Sequence, residues 1–504
     1  MSDSNCDPKT APGYIARAAT GVDGLDEILC GGLPRNRLYL IQGDPGVGKT
    51  TLALQFLLQG VAEGEKSLYI TLSETREELL QVAESHGWNL DSIAVLEMDT
   101  EDALVPDAQN TLFHTAEVEL NETTERILRE ADRIKPTRIV FDSLAEMRLL
   151  AGAGLRYRRQ ILALKQHFAT RNATVLLLDD LTTHSERELQ SLAHGVITLE
   201  HIQPEYGSEK RRLHINKLRG VKFVGGYHDF AIKLGGLVIF PRLVAAQYTT
   251  KFERTLVSSG IAALDELTGG GLTTGTSTLL MGPAGTGKST LALQYVSAAL
   301  ERGDKAAFFS FEEATSLLLS RAELMGKNLK DPYENGDFLI QQIDPAELAP
   351  GEFAAEVRRV VEKLGVRVVI IDSLNGYLYS MPEERHLILH MHELLTYLNQ
   401  QGVVTILVTA QSGIMGSQMS SPIDMSYLAD IVIMLRHFEA FGAVRQALSC
   451  LKKRSGGHER TIRELRIEPS GVRVGEPLSH FRGILTGVPE YIGKDKPEVA
   501  GSDE

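Results

Sequence analysis

The chain has 504 residues, too many for a single hydrophobic core, so we expect at least two domains. Its net charge of −14, from 52 basic and 66 acidic residues, argues against nucleic acid or an anionic membrane surface as a partner of the whole chain. Three cysteines without a C-x-x-C spacing favour neither a structural disulfide nor a cysteine metal site, and no apolar run is long enough to span a membrane, so we expect a cytoplasmic protein.

The first strong element in chain order is a phosphate-binding loop. An opening segment, TGVDGLDEILCGGL at Thr20–Leu33, leads to the apolar run LYLIQ and then to GDPGVGKT at Gly43–Thr50. A strand before the glycines and a helical apolar spacing after them (TLALQF) separate a real P-loop from a chance match. Glycines let backbone N–H groups surround the phosphates, Lys49 supplies a cation, and Thr50 offers its hydroxyl to Mg²⁺. The residues predicted to bind nucleotide here are Gly46, Val47, Gly48, Lys49, Thr50 and Thr51.

Acidic residues follow two later strand-like runs of the first half. Lys66–Thr75 (KSLYITLSET) carries Glu74 near its end, and Thr137–Leu144 (TRIVFDSL) carries Asp142. Phosphoryl transfer needs an acid in the metal shell and a carboxylate that orients the nucleophile. We therefore predict that Asp142 holds Mg²⁺ together with Thr50, and that Glu74 is a catalytic residue.

A basic cluster, KLRG, closes the first half and contains Lys217, Leu218 and Arg219. It lies far along the chain from its own P-loop, so the sequence alone does not tell which nucleotide it reaches. One interpretation is a solvated hairpin edge. The other is a charge-stabilising group that acts on the nucleotide of a neighbouring subunit.

The same order of elements recurs 239 residues later. Ser259–Leu272 repeats the opening segment, Gly282–Ser289 (GPAGTGKS) repeats the P-loop, and the run RVVIID ends on the metal-holding acid Asp372. The residues predicted to bind nucleotide in this half are Gly285, Thr286, Gly287, Lys288, Ser289 and Thr290. A second basic cluster, KKRS, contains Lys452, Lys453 and Arg454, and the same two interpretations apply to it. Apolar strands alternate with amphipathic helices in both halves, which predicts parallel sheets covered by helices on both faces. We place the domains at 14–245 and 253–482, followed by a polar tail at 483–504.

The two halves differ after their second strand. Glu312 and Glu313 stand side by side where the first half has Ser73 and Glu74. Two neighbouring carboxylates beside a triphosphate can divide the work, one near the metal and one as general base, whereas the pKa of a serine is too high for that role. We therefore predict that the second domain is the better-equipped catalytic site, with Ser289 and Glu312 in its metal shell. The first domain would hydrolyse slowly through Glu74 or bind ATP for assembly; solvated strand-end acids are the alternative.

These features together resemble the KaiC family, the tandem RecA-like ATPases of the bacterial circadian clock, over about residues 15–480. The shared features are the duplication, the T-G-[VI]-x-x-[LF]-D-E-[IL] opening, the S-E-T and E-E-A-T motifs, the F-D-S and I-D-S strand ends, the K-L-R-G cluster, and Trp88 in ESHGWNL. The resemblance implies an α/β fold of two tandem RecA-like P-loop NTPase domains with mostly parallel sheets flanked by helices. It also implies ATP and Mg²⁺ as cofactors and a homohexamer of stacked rings with ATP between adjacent subunits. The residues that would reach a neighbour's nucleotide are Lys217, Arg219, Lys452 and Arg454, and Ser85 would lie near the first-domain nucleotide.

Members of the family autophosphorylate in the second domain, on adjacent Ser and Thr residues just before a strand. In SYLADIVIML these positions hold Ser426 and Tyr427, and Glu312 matches the family's general base. A tyrosine in place of threonine departs from the family pattern, so the resemblance implies single-site phosphorylation at Ser426. The alternative is that Ser426 is an ordinary polar residue in a loop that leads into a strand.

The polar tail is shorter than the family's C-terminal segment, which recruits the activator KaiA, so we do not expect a KaiA-type activator. The resemblance leaves a KaiB-like partner at the first-domain ring open, and we expect no membrane or nucleic-acid partner.

From the sequence we predict a hexameric ATPase with serine autophosphorylation in the C-terminal domain, acting in circadian timing or stress signalling. Two other classes remain open at this stage. A DNA-dependent RecA-like motor or recombinase predicts ATP turnover that single-stranded DNA stimulates. A non-catalytic switch, in which ATP only controls assembly, predicts negligible phosphate release.

Overall fold

The structure is a computed structural model, and it describes residues 15–98, 115–151, 154–181, 186–203, 207–379, 384–411, 426–486 and 488–493. The chain divides into two compact units, the first ending at Arg242 and the second beginning at Leu243. This division falls slightly before the predicted domain end at 245, because Leu243 and Ala245 pack into a core of the second unit.

The first unit alternates strands and helices. Its strands, within the described residues, are β1 (Arg17–Ala18), β2 (Leu33–Pro34), β3 (Leu38–Gly43), β4 (Ser67–Thr71), β5 (Ile93–Glu97), β6 (Arg138–Asp142), β7 (Thr174–Asp180), β8 (Gly195–Ile202), β9 (Lys210–Leu218), β10 (Tyr227–Lys233) and β11 (Gly236–Phe240). Its helices are α1 (Leu25–Ile28), α2 (Lys49–Ala62), α3 (Arg76–Ser85), α4 (Thr115–Ile134), α5 (Leu144–Ala151), α6 (Gly154–Ala169) and α7 (Glu186–Leu192).

The second unit repeats the pattern. Its described strands are β12 (Leu256–Val257), β13 (Leu272–Thr273), β14 (Ser277–Gly282), β15 (Ala306–Ser310), β16 (Phe338–Gln342), β17 (Val368–Asp372), β18 (Val404–Ala410), β19 (Ile431–Ala440), β20 (Ala443–Lys453), β21 (Arg463–Glu468), β22 (Gly471–Pro477), β23 (Phe481–Arg482) and β24 (Glu490–Tyr491). Its helices are a 3₁₀ turn (Ala245–Gln247), α8 (Ala262–Leu267), α9 (Lys288–Glu301), α10 (Thr315–Leu324), α11 (Lys330–Asn335), α12 (Pro350–Leu364), α13 (Leu374–Tyr379) and α14 (Glu384–Gln400).

Each unit is built on one mixed nine-stranded sheet, as far as the described residues extend. The orders are β5-β4-β6-β7-β3-β8-β9-β10-β11 and β16-β15-β17-β18-β14-β19-β20-β21-β22. In both sheets the first six strands are parallel and the last three run antiparallel. The predicted fold class, two tandem RecA-like P-loop domains with mostly parallel sheets, is confirmed.

Helices cover both faces of each sheet, which is why the central strands are apolar along their whole length. β3 is buried at all six positions, and so is the strand β6 at its five. In the first unit α2 and α3 pack on one face and α4, α5 and α6 on the other, with a separate core on each face. In the second unit α8, α9 and α10 cover one face and α12, α13 and α14 the other.

A buried arginine distinguishes the core of the first unit. Arg138 begins β6 and is fully buried; its guanidinium donates to two backbone carbonyl groups and pairs with Glu63 at 2.7 Å. Gly60 on α2 makes room for it, since a Cβ there would lie 2.4 Å from the Arg138 Cδ. The second unit has Ala299 and Val368 at the equivalent positions, and both are buried, so apolar side chains fill this part of its core.

One expectation from the composition is wrong. Cys30 is disulfide-bonded, with its partner outside the described residues, whereas Cys450 is a free, buried thiol. The spacing argument failed because a disulfide needs proximity in space and not in sequence. Within the described part of the chain, no helix is both long enough and apolar enough to cross a membrane.

Candidate nucleotide sites

The first P-loop joins the end of β3 to the start of α2. Gly43 closes the strand and Lys49 opens the helix. Gly46 and Gly48 have φ angles of 77° and 111°, in the left-handed region that favours glycine. A Cβ on Gly43 would lie 2.6 Å from the carbonyl oxygen of Leu199 on β8. Only glycine therefore fits at the position where the loop passes that strand. The unpaired N–H groups at the start of α2 provide an anion-binding surface.

The P-loop lysine of the first unit is buried, with 8% of its surface exposed. The Lys49 Nζ donates to the carbonyl oxygens of Gly43 at 2.8 Å and Asp44 at 3.0 Å. It also forms an ion pair with Oδ1 of Asp180 at 2.8 Å. Asp180 ends β7, which is hydrogen-bonded to β3 along its length. The lysine is therefore held in place by three oxygen atoms.

The acid at the end of β6 contacts the P-loop threonine. The Thr50 hydroxyl donates to Oδ2 of Asp142 at 2.9 Å, and the Tyr69 hydroxyl donates to the same oxygen at 2.5 Å. Burial raises the pKa of Asp142, against the effect of these hydrogen bonds and of Lys49. Hydroxyl and carboxylate oxygens suit Mg²⁺, which usually takes its remaining ligands from water and substrate phosphates. Among the described residues no group of three or more His, Cys, Asp or Glu side chains could hold a metal.

Glu74 lies three residues beyond the end of β4. The Thr71 hydroxyl accepts from the Glu74 N–H at 2.9 Å and donates to its carbonyl oxygen at 2.6 Å. The Oε2 of Glu74 is buried and has no hydrogen-bond partner within the described residues. Burial, followed by the negative charges of Asp142 and Glu78, raises the pKa of Glu74 to about 7. A carboxyl group with that pKa and a free acceptor oxygen can take a proton from water near neutral pH.

The second P-loop repeats this geometry. Gly282 ends β14 and Lys288 begins α9, while Gly285 and Gly287 have φ angles of 78° and 91°. The Lys288 Nζ donates to the carbonyl oxygen of Pro283 at 2.7 Å. Burial lowers the pKa of Lys288, and the nearby carboxylates oppose that change.

The acids of the second site are all engaged. Ser289 forms a hydrogen bond with Asp372 at the end of β17, and burial raises the pKa of Asp372. The Ser373 hydroxyl donates to Oε1 of Glu312 at 2.5 Å. Glu313 forms an ion pair with Arg321 on α10. Glu313 occupies the turn position of Glu74, so the second site has a fixed carboxylate where the first has an unpartnered one.

The other residues predicted near nucleotide lie in the loops or in the first helical turns. Val47 and Thr286 are buried within the two loops, and Thr51 and Thr290 are buried in the first turns of α2 and α9. Ser85 is exposed at the end of α3, where its hydroxyl donates to a backbone carbonyl of the same helix at 2.7 Å.

The basic cluster of the first unit lies at the opposite edge of the sheet from its P-loop. Since β9 is antiparallel to β8, Lys217 pairs with Val196 at the start of β8, whereas the P-loop follows the end of β3. The side chains of Lys217 and Arg219 donate to the carbonyl oxygens of Gln190 and Ser191 on α7. The residue between them, Leu218, is buried in the core.

The basic cluster of the second unit has the same location. Lys452 pairs with Val432 near the start of β19, and the backbone N–H of Arg454 donates to Asp430. Lys453 is turned into its own unit, because its ammonium donates to the carbonyl oxygens of Thr268 and Gly271.

Lys452 and Arg454 hold the segment that carries the predicted phosphorylation sites. The Lys452 Nζ donates to the carbonyl oxygen of Ser426 at 2.8 Å, and Arg454 Nη2 donates to that of Tyr427 at 2.6 Å. Ser426 is partly buried and Tyr427 is exposed. We call Ser426, Tyr427, Lys452 and Arg454 the acceptor cluster. The strand β14 separates this edge from the P-loop by about 16 Å, the length of five residue steps.

Several site residues were not predicted. Asp180, Tyr69, Arg148, Ser373 and Arg321 contact the predicted groups or their neighbours; Arg148, for example, pairs with Asp179 at 2.5 Å. Asp180 could have been predicted as a site residue, because the Asp–Asp pair of ATVLLLDD ends an apolar strand. The other contacts depend on which strands are neighbours, and this the chain order does not tell.

Two sheets with the RecA-like strand order, each with a P-loop, a hydroxyl–carboxylate pair and a nearby glutamate, define a tandem P-loop nucleoside triphosphatase. The family model described as "ATPase: KaiC" matches residues 18–244 and 257–479. The chain therefore belongs to the KaiC ATPase family, and ATP is the nucleotide that this membership implies. The resemblance seen in the sequence is confirmed.

The similar proteins span nearly the whole chain. The circadian clock oscillator protein KaiC of Thermostichus vulcanus is 27% identical over 501 residues, which cover 96% of this chain and 94% of that protein. KaiC of Acaryochloris marina is 26% identical over 492 residues, with 96% and 93% covered. KaiC of Synechococcus elongatus is 26% identical over 500 residues, with 96% and 93% covered.

Proposed function

We propose that this protein is a homohexameric ATPase that hydrolyses ATP in its first unit and phosphorylates Ser426 from the ATP site of its second unit. It would act in circadian timing or stress signalling. Membership of the KaiC family supports the ATPase part. The location of the acceptor cluster is the observation that supports transfer between copies of the chain.

The donor and the acceptor of the second unit lie at opposite edges of one sheet. The P-loop follows the carboxyl end of β14, whereas Lys452 binds the Ser426 backbone near the amino end of β19. Phosphoryl transfer requires the reacting atoms to approach to about 3 Å, and the edges are about 16 Å apart. Ser426 would therefore receive its phosphate from the ATP of an adjacent copy, with Lys452 and Arg454 beside that nucleotide. Tyr427 would be a second acceptor only if its longer side chain met the same geometry.

Each residue of the second site has a role in this proposal. Lys288 and the α9 N-terminus would bind the phosphates, and Ser289 and Asp372, with Glu312 beside them, would hold Mg²⁺, which neutralises charge on the transferred group. The Glu312 carboxylate would take the proton of the neighbour's Ser426 hydroxyl. Ser373 would orient Glu312 through the hydrogen bond at 2.5 Å.

The first site would carry out the hydrolysis. Glu74 has a pKa of about 7 and an unpartnered oxygen among the described residues, so it would be the general base for water. Lys49 would bind the phosphates, and Thr50 and Asp142 would hold Mg²⁺. In the hexamer Lys217 and Arg219 would stabilise charge on a neighbour's nucleotide, and Ser85 would border its own. A KaiB-like partner at this ring is part of the proposal; a KaiA-type activator is not.

A mixing experiment tests the proposal. Lys288→Ala chains, which keep the acceptor, are mixed with Ser426→Ala chains, which keep the donor, and each carries a different tag. After incubation with Mg²⁺ and ATP, mass spectrometry should find phosphate on Ser426 of the Lys288→Ala chain only in the mixture. Phosphate on wild-type Ser426 without any transfer in the mixture would contradict transfer between copies. An unphosphorylated wild type would contradict the kinase assignment itself.

Phosphate release measured with and without single-stranded DNA separates the remaining classes. We expect release that DNA does not change. Strong stimulation by DNA would favour a motor, and negligible release would favour a non-catalytic switch.

A further inference from the structure

At the first site a carboxylate forms an ion pair with the P-loop lysine, and among the described residues the second site has no such ion pair. Asp180 stands directly opposite Gly43 in the β3–β7 pairing, and its Oδ1 lies 2.8 Å from the Lys49 Nζ. In the second sheet Ala410 stands opposite Gly282 at the same place in the β14–β18 pairing. The register of two parallel strands therefore brings an acid to one phosphate site and a methyl group to the other.

The second P-loop lysine has a different environment. The Lys288 Nζ donates to the carbonyl oxygen of Pro283, and no carboxylate among the described residues lies within ion-pair distance of it. The duplicated chain thus contains its own control, because the two loops share the same glycines, lysine and helix start.

Charge at the first site bears on which form of ATP can enter. The positive charge of Lys49 is already matched by Asp180, and the negative charge of Asp142 is close enough to be affected by Asp180. ATP without a metal carries about four negative charges, and Mg²⁺ removes two of them, so repulsion from an extra carboxylate falls when Mg²⁺ is bound. Partial burial strengthens this repulsion, because the effective dielectric constant near Lys49 is lower than that of water.

We propose that Asp180 makes the first site selective for magnesium-bound ATP over metal-free ATP, and that the second site, with Ala410, accepts both forms more evenly. This inference rests on the two ATP sites proposed above. Asp180 would act as a selectivity residue for the nucleotide through the charge of Lys49.

The test measures binding, independent of turnover. ATP is titrated by calorimetry into the full-length chain with Mg²⁺ or with EDTA, using Lys288→Ala chains to report the first site and Lys49→Ala chains to report the second. We expect the ratio of affinities with and without Mg²⁺ to be about tenfold larger at the first site, the size expected for one added unit charge a few ångströms away. Asp180→Asn should lower that ratio about tenfold, and Ala410→Asp should raise it at the second site.

Controls separate this inference from its alternatives. Asp132→Asn removes one negative charge from the same unit but at a surface pair with Arg171, and it should leave the ratio unchanged. If Asp180→Asn strengthens the binding of magnesium-bound and metal-free ATP equally, Asp180 only weakens ATP binding in general. The selectivity proposal is then wrong. If both sites bind ATP with the same ratio, the selectivity proposal also fails while the ATP sites stand. If neither site binds ATP in either form, the proposed function fails instead. Two-site titrations of Asp180→Asn and Ala410→Asp with both lysines intact give the same comparison should a lysine variant not fold.

Discussion

Arg321 pairs with Glu313 in the second unit, and the first unit cannot form this pair because Val82 stands at the equivalent position of α3. Glu74, the counterpart of Glu313, is left with an unpartnered oxygen among the described residues and a pKa of about 7. One residue on a helix thus separates a fixed carboxylate from one that can exchange a proton. We expect this difference to direct the fate of the γ-phosphate, to water at the first site and to a protein hydroxyl at the second.

Replacing Arg321 by valine should make the second site more hydrolytic. The Glu313 carboxylate would lose its ion-pair partner and become available to activate water, as we propose for Glu74. In the Lys49→Ala background, Arg321→Val should raise phosphate release by about fivefold, well below the roughly hundredfold or more that a fully placed general base contributes. Phosphate on Ser426 should fall relative to released phosphate. Arg359→Val, which breaks an exposed pair with Glu356, is the matched control and should change neither quantity. An unchanged partition in Arg321→Val would show that the ion pair does not set it.

Hydrolysis at the first site should depend on pH through Glu74. The pKa of Glu74 is raised to about 7, mainly by burial, and only the ionised form can accept a proton from water. Turnover by Lys288→Ala chains should therefore increase by about tenfold between pH 6 and pH 8. Glu74→Gln should remove both the activity and its pH dependence, while Glu77→Gln, at an exposed position in the first turn of α3, should retain them. A flat pH profile would exclude Glu74 as the base.

The first unit should lose stability as the pH falls. His228 is buried; its Nε2 contacts the Val224 carbonyl oxygen at 3.0 Å and its Nδ1 accepts from the Arg242 N–H at 2.8 Å, so the ring has no place for a second proton. Burial, with Arg242 and His214 assisting, lowers the pKa of His228 to about 4. Between the ordinary pKa near 6.5 and about 4, the unfolded chain binds more protons than the folded one, so stability falls as pH falls through this window.

The expected loss for His228 is up to about 3 kcal/mol between pH 6.5 and pH 4. Trp88, the chain's single tryptophan, packs against the core of the first unit and reports its denaturant unfolding by fluorescence. His228→Gln should be less stable at pH 7 but should have a shallower pH dependence over this range. An equally steep dependence in the variant would assign the effect to other groups.

Gly60→Ala should destabilise the first unit. The added methyl group would lie 2.4 Å from Cδ of Arg138, whose guanidinium is held by carbonyl groups and Glu63 and cannot swing away. Overpacking of this kind should cost about 2–3 kcal/mol. The same fluorescence measurement checks the value. Gly154→Ala, where a Cβ meets nothing within 4 Å, is the control and should unfold at nearly the wild-type denaturant concentration.

The parts of the site that could be predicted from the sequence are those that depend on local patterns. The P-loops follow from glycines between an apolar strand and a helix, and Asp142 and Asp372 follow from their place at strand ends. Parallel strands bring such ends to one edge, so their convergence needs no knowledge of strand order.

The remaining parts depend on strand order and direction. The Asp180–Lys49 pair exists because β7 lies next to β3, although the two strands are far apart in the sequence. The location of the basic clusters at the amino edge of each sheet could not be predicted, because it depends on the antiparallel direction of the strand that carries each cluster. The prediction that the second domain is better equipped rested on counting acids, and the structure adds that Glu312 and Glu313 are both held while Glu74 is not.

The opposite positions of P-loop and acceptor cluster give each copy of the chain a head and a tail. In the hexamer that we propose, contacts between such copies would be heterologous, and contacts of that kind either close into a ring or continue as a filament. A copy with an intact P-loop edge and a disabled acceptor edge would join a growing assembly but could not be joined in turn. Small amounts of an Arg454→Glu chain should therefore stop ring closure far out of proportion to their abundance, in the manner of a chain terminator in polymerisation.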